Sequence, residues 1–250
     1  MAHIINIEIL PEEIRKKIRK YSQQLLKIHG DNIVSIFIYG SATGRNYIPG
    51  KSDANMAVIL KSLQFSDLKK SLKLVSSGIS KRIAAPLMLT VRHMQTSTDV
   101  FPAEFLEMKD NYRLLYGQDL LKDLPVDESN IRLQCEQQLK GKLIRIREAY
   151  LEIGLRKKGI DALLKESLNS LFPIFRGLLR LKTAQIPSTD KEGIINSLGK
   201  NFGIDPTVFL AILRDKKTDN KIGSQDVEPF FERYIRESGK LAIAADELKV

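Results

Sequence analysis

The 250-residue chain contains one cysteine, Cys135, and no tryptophan. A single thiol excludes an intrachain disulfide and a cysteine-rich zinc site. The three histidines, His3, His29 and His93, lie too far apart to form a metal-ligand spacing. No apolar run approaches the roughly 20 residues that cross a bilayer. The opening stretch, "MAHIINIEILPEEIRKK", lacks the charged-then-apolar order of a secretory signal. Together these absences point to a cytoplasmic setting and no membrane partner. The chain also has no internal repeat and no low-complexity segment.

Hydrophobic residues make up 43% of the chain and charged residues 28%, which places it among folded rather than disordered sequences. The net charge of +10 favours anionic partners such as nucleotides or nucleic acid. Much of that charge has a simpler reading. "RKKIRK", residues 15–20, falls mostly on the outer face of a helix. No RNA-binding motif is present, and few aromatics are placed for stacking. Both points argue against a nucleic-acid module.

The pattern along the chain predicts two domains, 1–125 and 126–250. Pro11, Glu12 and Glu13 open a helix, because proline suits a first turn and acids suit the positive helix end. Ile14, Ile18, Tyr21 and Leu25 continue it at helical spacing. Residues 33–39, "IVSIFIY", are short, β-branched and apolar and read as a buried strand. Residues 56–60 predict a second strand, 67–82 a helix and 86–91 a third strand. The stretch 99–117 is expected to be a strand followed by a helix or irregular chain. This order predicts an α/β (α+β) domain with a mixed sheet. After Pro125 the pattern becomes helical. Stripes run through Leu139, Leu143 and Ile146, then through Leu164, Leu168, Leu171 and Phe175, with Pro173 expected to kink the second. Thr189 with Glu192 has capping-box spacing. Two more helices are expected over 205–213 and 226–248. The second half is therefore an all-α helical bundle.

The chemistry concentrates between residues 37 and 60, "FIYGSATGRNYIPGKSDANMAVIL". Gly40-Ser41 follows the first strand. A glycine turn lets the backbone approach phosphate, a serine adds a hydroxyl donor, and a helix starting there would favour negative charge. Asp53 and Asn55 are two apart at the entry to the second strand, so they project to one side. Arg45 and Lys51 add positive charge nearby.

This constellation resembles the DNA polymerase β-like nucleotidyltransferase superfamily. Its signature is a Gly-Ser turn, then Asp-x-Asp or Asp-x-Glu, with a third acid on a later strand. The match covers residues 33–91. The helical second half resembles, in architecture only, the C-terminal halves of aminoglycoside adenylyltransferases. The resemblance implies that Gly40, Ser41, Arg45 and Lys51 bind a nucleotide and that Asp53 is a Mg²⁺ ligand and catalytic carboxylate if the protein is active. Asn55 stands where the second acid belongs. The "PLEVT"-like strand of the aminoglycoside enzymes corresponds to "APLMLT", which places Met88 at the third acid position.

An amide adds no charge for a divalent cation, and a thioether is a ligand that Mg²⁺ does not seek. The site thus lacks two of three expected carboxylates. The reading that follows is an impaired or inactive nucleotidyltransferase-fold protein that binds a nucleotide or other anion as a sensor, regulator or scaffold. The alternative is an active Mg²⁺-dependent enzyme that moves a nucleoside monophosphate, most simply AMP, onto a hydroxyl of a small molecule or protein. Asp99 or Glu104 would then supply a displaced acid. Arg92 with His93, the group Tyr112, Arg113 and Tyr116, and Arg176 with Arg180 are further ligand-contact candidates.

Overall fold

The computed structural model describes residues 4–43, 47–153, 155, 159–185, 190–218 and 227–250. The chain divides into two compact units, Met1–Val126 and Asp127–Val250.

The first unit is built on a four-stranded mixed sheet. Helix α1 (Glu12–His29) begins after Pro11 and carries Glu12 and Glu13 in its first turn, where the helix dipole favours acids. It stops at Gly30, whose φ of +50° suits a residue without Cβ. Strands β1 (Ile33–Tyr39) and β2 (Asn55–Leu60) follow, then helix α2 (Phe65–Ile79) and strand β3 (Leu87–Thr90). The order across the sheet is β3-β2-β1, with β4 (Tyr112–Gly117) beyond β1. β1 runs antiparallel to both β2 and β4, and β2 runs parallel to β3.

The stretch 99–117 departs from expectation. It forms helix α4 (Pro102–Asp110) first and strand β4 second. Pro102 sits in the first turn of α4, where its missing N–H costs nothing. "YRLLYG" then fills the open edge of β1. Helix α3 (Val91–Gln95) directly follows β3, started by the Thr90 hydroxyl accepting from the His93 amide at 3.1 Å.

Alternation along the strands makes two cores. Ile36, Ile38, Met56, Val58 and Leu60 pack on one face with Ile14, Ile18 and Leu25 of α1. Phe37, Ala57 and Ile59 pack on the other with Met94, Phe105 and Leu121. Each fully buried Leu or Ile contributes about 1.5–3 kcal/mol, so the sheet is held from both sides.

The second unit is helical: α5 (Glu128–Ile153), α6 (Ile160–Thr183), α7 (Lys191–Phe202), α8 (Thr207–Thr218) and α9 (Val227–Glu247). Pro173 lies inside α6, which continues as one element on both sides of it. Asp190 caps α7 by accepting from the Gly193 amide at 2.8 Å. Thr189, the expected cap, lies outside the described residues. Glu237 is buried on α9 and accepts from the Asp205 amide and Lys240, both at 2.9–3.0 Å. Its burial opposes ionisation, but these donors outweigh it and hold the carboxyl below its usual value. Asp205 is held at about 2 by Thr207 and Arg233.

Candidate functional site

The end of β1 turns sharply at Gly40. Its φ is +76°, a left-handed backbone that favours glycine. Gly40–Thr43 forms a single short 3₁₀ turn rather than the start of an α-helix, so the expected helix dipole contributes little here. The Gly40 amide donates to the Asn111 carbonyl at 2.9 Å. One of the amides expected to face a phosphate is therefore engaged by the α4–β4 connection. Thr43 closes the turn by donating its hydroxyl to the Gly40 carbonyl at 2.8 Å.

Asn55 pairs with Tyr39 across β1 and β2. A Cβ at Gly40 would lie 3.4 Å from its side-chain nitrogen, so the amide sits directly against the turn. Asp53 lies just before β2. Ala54 is anchored to the chain after α2, donating to the Arg82 carbonyl at 2.8 Å and accepting from Ala84 at 3.0 Å. Ala54 and Met56 point into the first core, which leaves Asp53 and Asn55 on the opposite side. That placement brings Asp53, Asn55 and Gly40 to one end of the sheet.

Arg82 was not among the sequence-derived candidates. Its Nη1 lies 3.6 Å from Asp53 Oδ1 and donates to the Lys51 carbonyl at 3.3 Å. Its φ of +61° arises where α2 closes, with the Ile83 amide reaching back to the Gly78 carbonyl. The signal available in sequence was the cluster "SSGISKR": a glycine near a helix end followed by basic residues. The contact with Asp53 needs tertiary structure to be seen. Lys51 itself is exposed, in a turn closed by Ile48 and Ser52. Arg45 lies outside the described residues.

Met88 is on the wrong face for a third site residue. It pairs with Val58 and packs into the first core, behind the sheet as seen from Asn55. The β3 residues that share the face of Asn55 are Leu87 and Leu89, paired with Ala57 and Ile59. Neither is an acid, so β3 supplies no carboxylate in either register.

The remaining candidates separate. Arg92 and His93 are exposed on α3, and Asp99 and Glu104 are exposed before and within α4. Tyr112 packs edge-on against Phe37, with ring centroids 5.8 Å apart, and donates its hydroxyl to Asp119 at 2.8 Å. Burial and that carboxylate push its phenol up to about 12. Tyr39 is also raised, by burial. Both phenols stay neutral at ordinary pH. Arg113 donates to the Tyr112 carbonyl at 2.7 Å, and Tyr116 packs against the first core. Arg176 and Arg180 lie one turn apart on α6 of the second unit.

A Mg²⁺ site needs six oxygen ligands, usually one or two protein carboxylates together with waters and substrate phosphate oxygens. Here the donors are Asp53, already beside a guanidinium, and the Asn55 amide. Among the described residues, no three His, Cys, Asp or Glu side chains converge to hold a metal ion. The intervening residues 44–46 are Gly, Arg and Asn and add no carboxylate. This donor set offers a magnesium ion one carboxylate, beside a guanidinium, and one neutral amide oxygen.

No family model and no curated protein sequence matches the chain. Eight solved chains match its structure. One is the spectinomycin adenyltransferase AAD(9) from Enterococcus faecialis, solved with ATP and spectinomycin. The identity is 13%, the match covers 90% of this chain and 98% of that one, and the TM-score is 0.54. At that identity the similarity shows a shared fold: a nucleotidyltransferase-like sheet domain with a helical C-terminal part. Among the described residues, no helix is long and apolar enough to cross a membrane.

Proposed function

We propose that this nucleotidyltransferase-fold protein binds a nucleotide or another phosphate-bearing anion and performs no nucleotidyl transfer, acting as a sensor, regulator or scaffold. The observation that carries the reading is Arg82 beside Asp53, in a site where Asn55 stands in place of a carboxylate and β3 supplies none. Asp53 lies beside a half-exposed guanidinium, which supplies positive charge where the resemblance implies a metal. Ser41, Lys51 and Arg82 are the groups through which a phosphate would be held, with Arg45 as a further donor. A guanidinium matches phosphate geometry with paired donors, which makes metal-independent binding chemically reasonable.

Loss of one preorganised electrostatic contact typically costs 10²–10³ in rate, about 3–4 kcal/mol. Two missing carboxylates bring transfer to background. The test is pyrophosphate release from each nucleoside triphosphate by pure protein with Mg²⁺ or Mn²⁺, across hydroxyl acceptors. Release at the buffer rate is expected. Robust metal-dependent release that Asp53→Ala abolishes would establish the enzyme reading, with AMP transfer to a hydroxyl as its simplest form.

A further inference from the structure

Helices α5, α6 and α9 of the second unit enclose a small cavity. Leu139, Leu143 and Ile146 of α5 and Leu171 of α6 form its apolar walls. The three α5 residues stand at i, i+4 and i+7, one stripe of that helix. The remaining lining is polar: Lys142 on α5, Ser167 on α6, and Tyr234 and Ser238 on α9. Contacts between packed helices are normally closed by hydrocarbon, because a buried polar group without a partner costs free energy.

Every one of these polar groups can donate, and no carboxylate lines the cavity. Tyr234 and Ser238 are 1% and 2% exposed. Tyr234 shares a hydrogen bond of 2.7 Å with Ser167, in which either hydroxyl can donate. Two hydroxyl hydrogens serve that one bond, so one is left to donate elsewhere. Burial pushes the Tyr234 phenol up, which keeps it protonated. The Ser238 hydroxyl lines the same cavity and has no hydrogen-bond partner among the described residues. Lys142 is half-buried, so its wall reaches solvent. Burial, and then the charge of Arg145, pull its ammonium below the ordinary value, and no acid counters them. A buried hydroxyl without an acceptor and a cation without an acid thus meet at one small cavity. Both are satisfied by an acceptor that carries negative charge.

Size and walls select the ligand. The enclosed room is about 10 Å³, enough for a group the size of one water. A nucleotide or a sugar does not enter it. Phosphate is bulkier than a planar carboxylate and offers nothing to the hydrocarbon walls. We infer that the cavity between α5, α6 and α9 binds a short-chain aliphatic carboxylate. Its oxygens accept from Ser238 and from the Ser167–Tyr234 pair, Lys142 balances its charge, and its chain lies along the α5 stripe toward solvent. The site belongs to the second unit and is independent of the Gly40 turn.

The test is titration of the full chain with sodium butyrate, followed by NMR of the backbone amides. Butyramide, with the same shape and no charge, and sodium phosphate, with charge and no chain, are the controls. Butyrate should saturate, shift amides of α5, α6 and α9, and bind at least about tenfold tighter than either control. Lys142→Met keeps the aliphatic stem and should abolish the preference for butyrate over butyramide. Ser238→Ala removes the partnerless hydroxyl. It should weaken butyrate about tenfold while leaving the unfolding midpoint unchanged or raised, an outcome that a purely structural serine would not give. Absence of saturable butyrate binding would overturn the proposal and leave the cavity to a single water. So would butyrate binding that survives both Lys142→Met and Ser238→Ala, or equal binding of butyramide or phosphate.

Discussion

Arg82 holds a left-handed backbone, φ +61°, which costs a non-glycine residue about 1–2 kcal/mol. Its side chain ties Asp53 to the Lys51 carbonyl, but as a half-exposed pair it contributes only about 0–1 kcal/mol to the fold. Fold and ligand needs are therefore separable at this residue. Arg82→Gly should leave the unfolding midpoint unchanged or slightly raised and weaken nucleotide binding about tenfold, or ~1.4 kcal/mol. Scanning calorimetry and titration calorimetry on one sample read both. A tenfold loss of binding without loss of stability would identify the guanidinium as a ligand contact. Asn55→Asp places a second carboxylate against the Gly40 turn. It should weaken binding in a metal chelator, measured by the same titration. Asp53 and Asn55 were legible in sequence as a same-side pair, because alternation needs only local backbone. The face of Met88 was not legible. It depends on the register Val58↔Met88 between strands joined through α2, and a one-residue error turns a side chain to the other face.

At the scale of elements, α1 and α2 meet through a buried histidine. Burial pulls His29 below its ordinary pKa, Asp67 opposes that and Lys70 adds to it. A lowered folded value means the unfolded chain binds the proton better. The contribution of His29 is thus fully present above about pH 6.5 and is lost as pH falls through the folded value. His29→Gln should flatten the fall in unfolding free energy between about pH 7 and pH 5, measured by urea titration at each pH. In the second unit, α5 and α6 approach at Gly177, where a Cβ would lie 2.6 Å from Cys135 Sγ. Gly177→Ala should cost about 1–3 kcal/mol by overpacking. Cys135→Ala in the same chain should return part of it, a coupling that a double-mutant cycle detects. The lone cysteine is a buried packing residue here. β1 and the stripes of α5 and α6 were readable because a β-branched run or a long period is a strong local signal. The order of α4 and β4 was not. "YRLLYG" is a strand because the edge of β1 is open to it, which is a property of the sheet rather than of those six residues.

Across the whole molecule, the fold is shared with an adenyltransferase at 13% identity. Fold similarity carries no chemistry by itself, and function has to be argued from the site. The net charge of +10 gives the protein a general attraction for anions. Specific binding at the Gly40 turn must exceed that background and persist at physiological salt, where distant surface charges are screened. The central claim is that the turn and Arg82 hold phosphate without a metal. Its most direct test is thermal unfolding of the full chain with each of ATP, GTP, CTP and UTP, in Mg²⁺ and in excess chelator. A ligand at about 100 times its dissociation constant adds roughly 2.7 kcal/mol. The account predicts that at least one nucleotide raises the midpoint equally in Mg²⁺ and in chelator, and that Arg82→Gly reduces the rise. A rise that appears only with Mg²⁺, or no rise with any nucleotide, would contradict it.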